Sequence, residues 1–208
     1  ANEIKPQGAV SERQSSQQPH LSSYSDHDHE QKLHLIRRLD WRFLLPDPNL
    51  NRVIYLGEAN SALITAVRYF ADYFEILNSG TPGRKPFDLA VVRSHRLEEA
   101  GLAFDLLKPG GYFYWETIQK NRLVPIGVKA QVDYLRKIGF ENIAAHWHRP
   151  NFERALDLVP IFDATALDYF FAPERGERKK SAAGRFLLRT GLLKFAMTCV
   201  SIVAIKRQ

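Results

Sequence analysis

Short apolar runs alternate along this chain with segments whose apolar residues recur at helical spacing. Val53-Ile54-Tyr55-Leu56-Gly57, Tyr73 to Leu77, Phe87 to Val92 and Tyr112 to Thr117 are brief, rich in β-branched or aromatic residues and bounded by turn residues. Such runs predict buried strands. Leu33, Ile36 and Leu39 mark one helix face, with Arg37 and Arg38 read as exposed. Ala62 to Asp72 predicts a second helix. Leu97, Gly101, Phe104 and Leu107 predict a third, and Val128 to Ile138, closed by Gly139, a fourth. From Glu141 to His148, Ile143, Ala145 and Trp147 alternate with Asn142, Ala144, His146 and His148, which predicts a strand with two unlike faces. A long aromatic passage, 149 to 184, separates this strand from a basic amphipathic helix, Gly184 to Phe195, and a last apolar strand, Cys199 to Ile205.

Residues 87 to 117 are the most informative stretch. Phe87 to Val92 reads as a strand, a helix follows, and Leu107-Lys108-Pro109-Gly110-Gly111 stops that helix, because Pro109 cannot continue it and the glycines tolerate positive φ. Tyr112 to Thr117 is again a strand. Strand, crossover helix and strand of this length predict a parallel α/β sheet.

The chain has 208 residues, enough for one domain with a sizeable core. Residues 1 to 30 are polar and read as a disordered or loosely attached arm; 31 to 208 read as the domain, carrying an aromatic insertion at about 150–183. His27-Asp28-His29-Glu30, with His20 upstream, has metal-ligand chemistry but no fixed frame, so no metal site is assigned. One cysteine, Cys199, excludes an internal disulfide framework and suits a reducing cytoplasm. No signal peptide is visible. The net charge of +6 is uneven: residues from Glu174 onward carry +7. The basic segment 175–194 fits a peripheral membrane surface, an acidic partner or a solvated face. Arg189 and Lys194 argue against a membrane span.

Leu106-Leu107-Lys108-Pro109-Gly110-Gly111 before a strand resembles the segment leading into the fifth strand of class I S-adenosylmethionine-dependent methyltransferases. The resemblance covers about residues 50 to 148 and the last strand. It implies a Rossmann-like three-layer α/β sandwich, a mostly parallel sheet with an antiparallel last strand between the fifth and sixth. Between Leu77 and Phe87 one helix and strand of that family are abbreviated. The resemblance also implies S-adenosylmethionine as cofactor and methyl transfer to a small, lipid-like or glycosidic acceptor. A cofactor-free binding or scaffolding subunit, an enzyme of non-methyl chemistry and a homodimer stay open.

Ligands of open α/β sheets bind beyond the carboxyl ends of the strands. At the first end stand Gly57, Glu58, Asn60 and Ser61. The resemblance makes this the counterpart of a glycine-rich loop; as residues alone, they also make an ordinary turn with an Asn or Ser cap. Asn78 and Ser79 fall where the family holds the cofactor's ribose with a carboxylate, and Glu75 comes three residues early. The resemblance places Arg93, Ser94 and His95 where the family's residues face the methyl group, which makes Arg93 and Ser94 cofactor-binding candidates, and the Arg93 guanidinium also suits a substrate carboxylate or phosphate. His95 is a candidate general base and Glu116 a second catalytic candidate. His146 and His148 share a strand face without a clear third ligand, and no specific nucleic-acid motif is found.

Overall fold

A computed structural model describes residues 30, 32–77, 86–117, 126–172, 178–193 and 197–208. Residues 32–38 form helix α1, and a short 3-10 turn, Asp40–Leu44, follows. The further elements are β1 (Arg52–Gly57), α2 (Ser61–Phe70), β2 (Tyr73–Ile76), β3 (Phe87–Ser94), α3 (Leu97–Leu106), β4 (Leu107–Thr117) and α4 (Ile126–Ile138). They continue as β5 (Phe140–Arg149), β6 (Asp157–Pro160), α5 (Ala164–Phe170), α6 (Arg178–Arg189) and β7 (Val200–Lys206).

The strands make one seven-stranded sheet in the order β2-β1-β3-β4-β7-β5-β6. Ladders β2–β1, β1–β3 and β3–β4 are parallel, while β7 runs antiparallel to both β4 and β5. The inserted antiparallel last strand is therefore present. Both sheet faces are covered. Ala100 and Ala103 of α3, Val132 and Leu135 of α4 and Leu167 of α5 pack on one face with Ile54, Val92, Phe113, Trp115 and Ile202. On the other, Leu39, Trp41 and Leu45 join Leu63, Ala66 and Val67 of α2 over Val53, Tyr55, Val91 and Tyr114. Trp41 stacks on Tyr114 with centroids 3.7 Å apart. The strand alternation is what sorts these side chains to two cores.

Three local expectations change. The aromatic insertion supplies a strand: β6 pairs antiparallel with β5, Val159 facing Trp147, and forms one sheet edge. Pro160 is tolerated there because an edge strand has a side that needs no N–H donor. Gly184 does not begin the last helix but lies inside α6, where a Cβ would stand 2.1 Å from the Phe171 ring. Close packing on α5 explains that glycine better than a helix boundary. The strand after α3 begins at Leu107, earlier than Tyr112, and takes in the Lys-Pro-Gly-Gly turn with Gly110 at φ 73° and a register irregularity between Phe87 and Leu89. Among the described residues no helix is long and apolar enough to cross a membrane.

Candidate functional site

From β1 the chain goes to β2 on one side and then to β3 on the other. Such a reversal opens a crevice at the strands' carboxyl ends. Gly57 ends β1 with φ 97°, and a Cβ there would stand 2.3 Å from the Arg93 carbonyl oxygen. The neighbouring strand's backbone thus requires glycine at this place. The turn is tied twice more: Glu58 N–H donates to the Arg93 carbonyl at 2.8 Å, and the Tyr55 hydroxyl donates to the Glu58 carbonyl at 2.6 Å. Asn60 is the N-cap of α2, its Oδ1 accepting from Leu63 N–H at 2.8 Å. Ser61 is the first residue of α2 and is exposed.

Glu58 and His95 face each other over this crevice, with Oε1 and Nδ1 3.6 Å apart and both side chains well exposed. Ser94 points inward instead: its hydroxyl accepts from Arg96 N–H at 2.9 Å and its carbonyl from Trp115 Nε1 at 2.8 Å. Glu99, in the first turn of α3, aims at the Gly57 turn. Its Oε2 is buried without a hydrogen-bond partner and 2.8 Å from where a Gly57 Cβ would stand. Asn78 and Ser79 lie outside the described residues. Glu75 sits within β2, opposite Ile54, and accepts from the Tyr73 hydroxyl at 3.0 Å.

Below the crevice is a polar cluster. Glu116 is fully buried; one oxygen lies 2.6 Å from Arg38 Nη2 and the other 3.4 Å from Arg93 Nε. The Tyr114 hydroxyl donates to the same carboxylate at 3.0 Å. Burial raises the Glu116 carboxyl above its ordinary value, against the pull of Arg38. Burial works to lower Arg38, yet its net shift is upward because Glu116 adjoins it. Burial first, then the Glu116 charge, raises the Tyr55 and Tyr114 hydroxyls, so both stay protonated. Arg38 corrects the expectation of an exposed helix position: it is 2% exposed. The sequence held one signal for it, since an acid ending a buried strand needs a cation nearby.

His146 and His148 continue this face on β5. His148 Nε2 and the Ser201 hydroxyl are 2.7 Å apart and buried. Burial lowers His146 to about 4 and, with Arg38 and His146 adding to it, His148 to about 3. Both are neutral imidazoles near pH 7. Among the described residues no three His, Cys, Asp or Glu side chains group to hold a metal ion.

No protein-family model matches the chain, and no curated protein does. Solved structures that it resembles include a Haemonchus contortus phosphoethanolamine N-methyltransferase, in complex with phosphomonomethylethanolamine and S-adenosylhomocysteine. The identity is 13%, the match covers 86% of this chain and 53% of that one, and the TM-score is 0.44. This chain thus spans about half of that enzyme. A Thermotoga maritima SAM-dependent O-methyltransferase matches at 12% identity, over 86% and 65% of the two chains, with a TM-score of 0.42. A Bacillus halodurans methyltransferase matches at 10% identity, over 84% and 99%, with a TM-score of 0.42.

Proposed function

We propose that the crevice between β1 and β3 binds S-adenosylmethionine and that the chain transfers its methyl group to a small acceptor. The observation that carries this is the acidic lining of the Gly57 turn. Glu99 Oε2 is a buried acceptor without a donor, and Glu58 stands exposed beside the same turn. An orphaned carboxylate oxygen is costly unless a donor meets it. A ligand carrying an ammonium group meets that need, and the cofactor's amino-acid end is such a group. When bound, S-adenosylmethionine supplies an electrophilic methyl.

The chain's own residues supply position and a proton acceptor. His95 has an exposed ring beside Glu58 and can take the proton of a hydroxyl or amine. Glu116, closed in its ion pair, holds Arg38 and Arg93 in place under the crevice and has no free path to a ligand's proton. Its part is positioning. Asn60 and Ser61 set the amino end of α2, whose dipole favours negative charge. A lipid-like or glycosidic acceptor and a cytoplasmic setting complete the proposal.

A second reading has support of its own. Both polar atoms of the Asn60 side chain are engaged within the chain, with Leu63 and Glu153, and the Ser94 hydroxyl is engaged with Arg96. Side chains so committed favour a binding subunit without cofactor. Calorimetric titration of the full chain with S-adenosylhomocysteine separates the two. Saturable binding, weakened about tenfold or more by Glu99→Gln, is expected. No heat at millimolar ligand would sink the cofactor proposal and leave the binding subunit.

A further inference from the structure

Under the crevice, two guanidinium groups, one buried and one partly exposed, flank one buried carboxylate. Arg38 and Arg93 bring two positive charges, and Glu116 lies between them. Arg38 Nε and Nη1 and Arg93 Nε are buried and make no hydrogen bond, against one idle acceptor in the cluster, Glu116 Oε2, so donors still exceed acceptors. Tyr55 and Tyr114 keep their protons and His148 is uncharged, so these neighbours bring no further negative charge. A buried guanidinium with idle N–H groups is a costly arrangement unless an acceptor completes it.

The side chain that approaches them comes from outside. Glu153, in the segment between β5 and β6, is 47% exposed, and its Oε2 lies 3.8 Å from Arg38 Nε. That is too long for a hydrogen bond. Its Oε1 accepts from Asn60 Nδ2 at 3.2 Å, at the amino end of α2. Phe152, next to it, lies 5.8 Å from the Arg38 guanidinium and 4.7 Å from the His148 ring. A half-exposed carboxylate is therefore held loosely over donors on α1, β3 and the α2 cap, of which Arg38 is buried and Arg93 and Asn60 are partly exposed. It stands where an oxyanion ligand would complete the set, and planar guanidinium groups suit carboxylate and phosphate.

We propose that Arg38, Arg93 and Asn60 form a binding site for the carboxylate or phosphate of the small molecule on which this chain acts, and that Glu153 covers the site until that ligand displaces it. The proposal takes the crevice as a small-molecule site, as above; the donor excess itself does not depend on methyl transfer.

The test is calorimetric titration of the full chain with inorganic phosphate, alone and with saturating S-adenosylhomocysteine. Glu153→Ala, an exposed change, is expected to tighten phosphate binding at least about tenfold. Arg93→Met added to that variant should remove the gain; Arg93 is 24% exposed, so circular dichroism can verify that this variant stays folded. Phosphate affinity unmoved by Glu153→Ala, or a gain that survives Arg93→Met, overturns the site. Competition between phosphate and S-adenosylhomocysteine would give the donors to the cofactor's carboxylate and overturn the assignment to the acted-on molecule. Failure of S-adenosylhomocysteine to bind sinks methyl transfer, while the Glu153→Ala result still decides the oxyanion site.

Discussion

His146 and His148 are buried as neutral bases, and this ties stability to pH. In the unfolded chain each titrates near 6.5; in the fold they titrate at about 4 and about 3. Above pH 6.5 neither state takes up protons there, and the fold keeps its full stability. Below 6.5 the unfolded chain binds protons that the fold refuses, so stability falls as the pH drops toward 3. Glu116 acts with the opposite sign: its raised carboxyl favours the fold below about 4.5 and loses that advantage as pH rises. Urea denaturation at pH 7.5 and pH 5 should therefore differ by up to about 4 kcal/mol, about 2 kcal/mol from each histidine, less what Glu116 returns, with the lower value at pH 5. His148→Gln should remove about half of the histidine contribution and leave that of His146; equal stability of the unaltered chain at both pH values would contradict neutral burial. Residues around the crevice mark what the sequence could and could not reveal. Gly57 and Asn60 were legible because a positive φ and a cap are local demands. They also limit what mutation can teach: Gly57→Val would push a side chain onto the Arg93 carbonyl, so it strains the fold and cannot isolate ligand binding. Arg38 was hidden because its partner Glu116 is remote in sequence, and helical spacing alone gives a charged residue to solvent.

At the scale of elements, helix α3 illustrates how a distant strand completes a local end. Its last carbonyls lack intrahelical donors, as at any helix terminus. Lys206, from β7, donates to the Phe104 carbonyl at 2.6 Å and to the Leu107 carbonyl at 2.8 Å, with its ammonium 4.4 Å from the Phe104 ring centroid. The positive charge also suits the helix's negative end. Lys206→Met should cost about 1–3 kcal/mol in urea unfolding, with Lys206→Arg restoring part of it. An unchanged midpoint would show that water serves the carbonyls as well. Strands and helices from Val53 to Ile138 were legible through their apolar periods. Strand β6 was not, because a four-residue edge strand carries too few positions to display alternation, and Pro160 argues locally against a strand. The start of α6 was missed for a similar reason, since Gly184 reads as punctuation until Phe171 is seen against it.

For the molecule as a whole, the decisive feature is that the last strand lies in the middle of the sheet. β7 pairs along Tyr112 to Thr117 on one side and along Phe140 to Trp147 on the other. Without it the sheet divides into a parallel block, β2-β1-β3-β4, and an edge pair, β5-β6, each with an open edge. Val200, Ile202 and Ala204 would also leave one core and Val203 the other, so both layers lose packing at once. Residue-level substitutions cost a few kcal/mol, comparable to the whole stability of a domain. Loss of β7 removes two ladders and several fully buried side chains together. Ending the chain after Cys199 should therefore abolish cooperative unfolding and near-ultraviolet circular dichroism, not merely lower the midpoint. A sharp transition in the shortened chain would mean that the parallel block folds by itself. In that case the crevice between β1 and β3 would be an independent unit, and β7, with Ser201 behind His148, would serve to join it to the aromatic segment that carries Glu153.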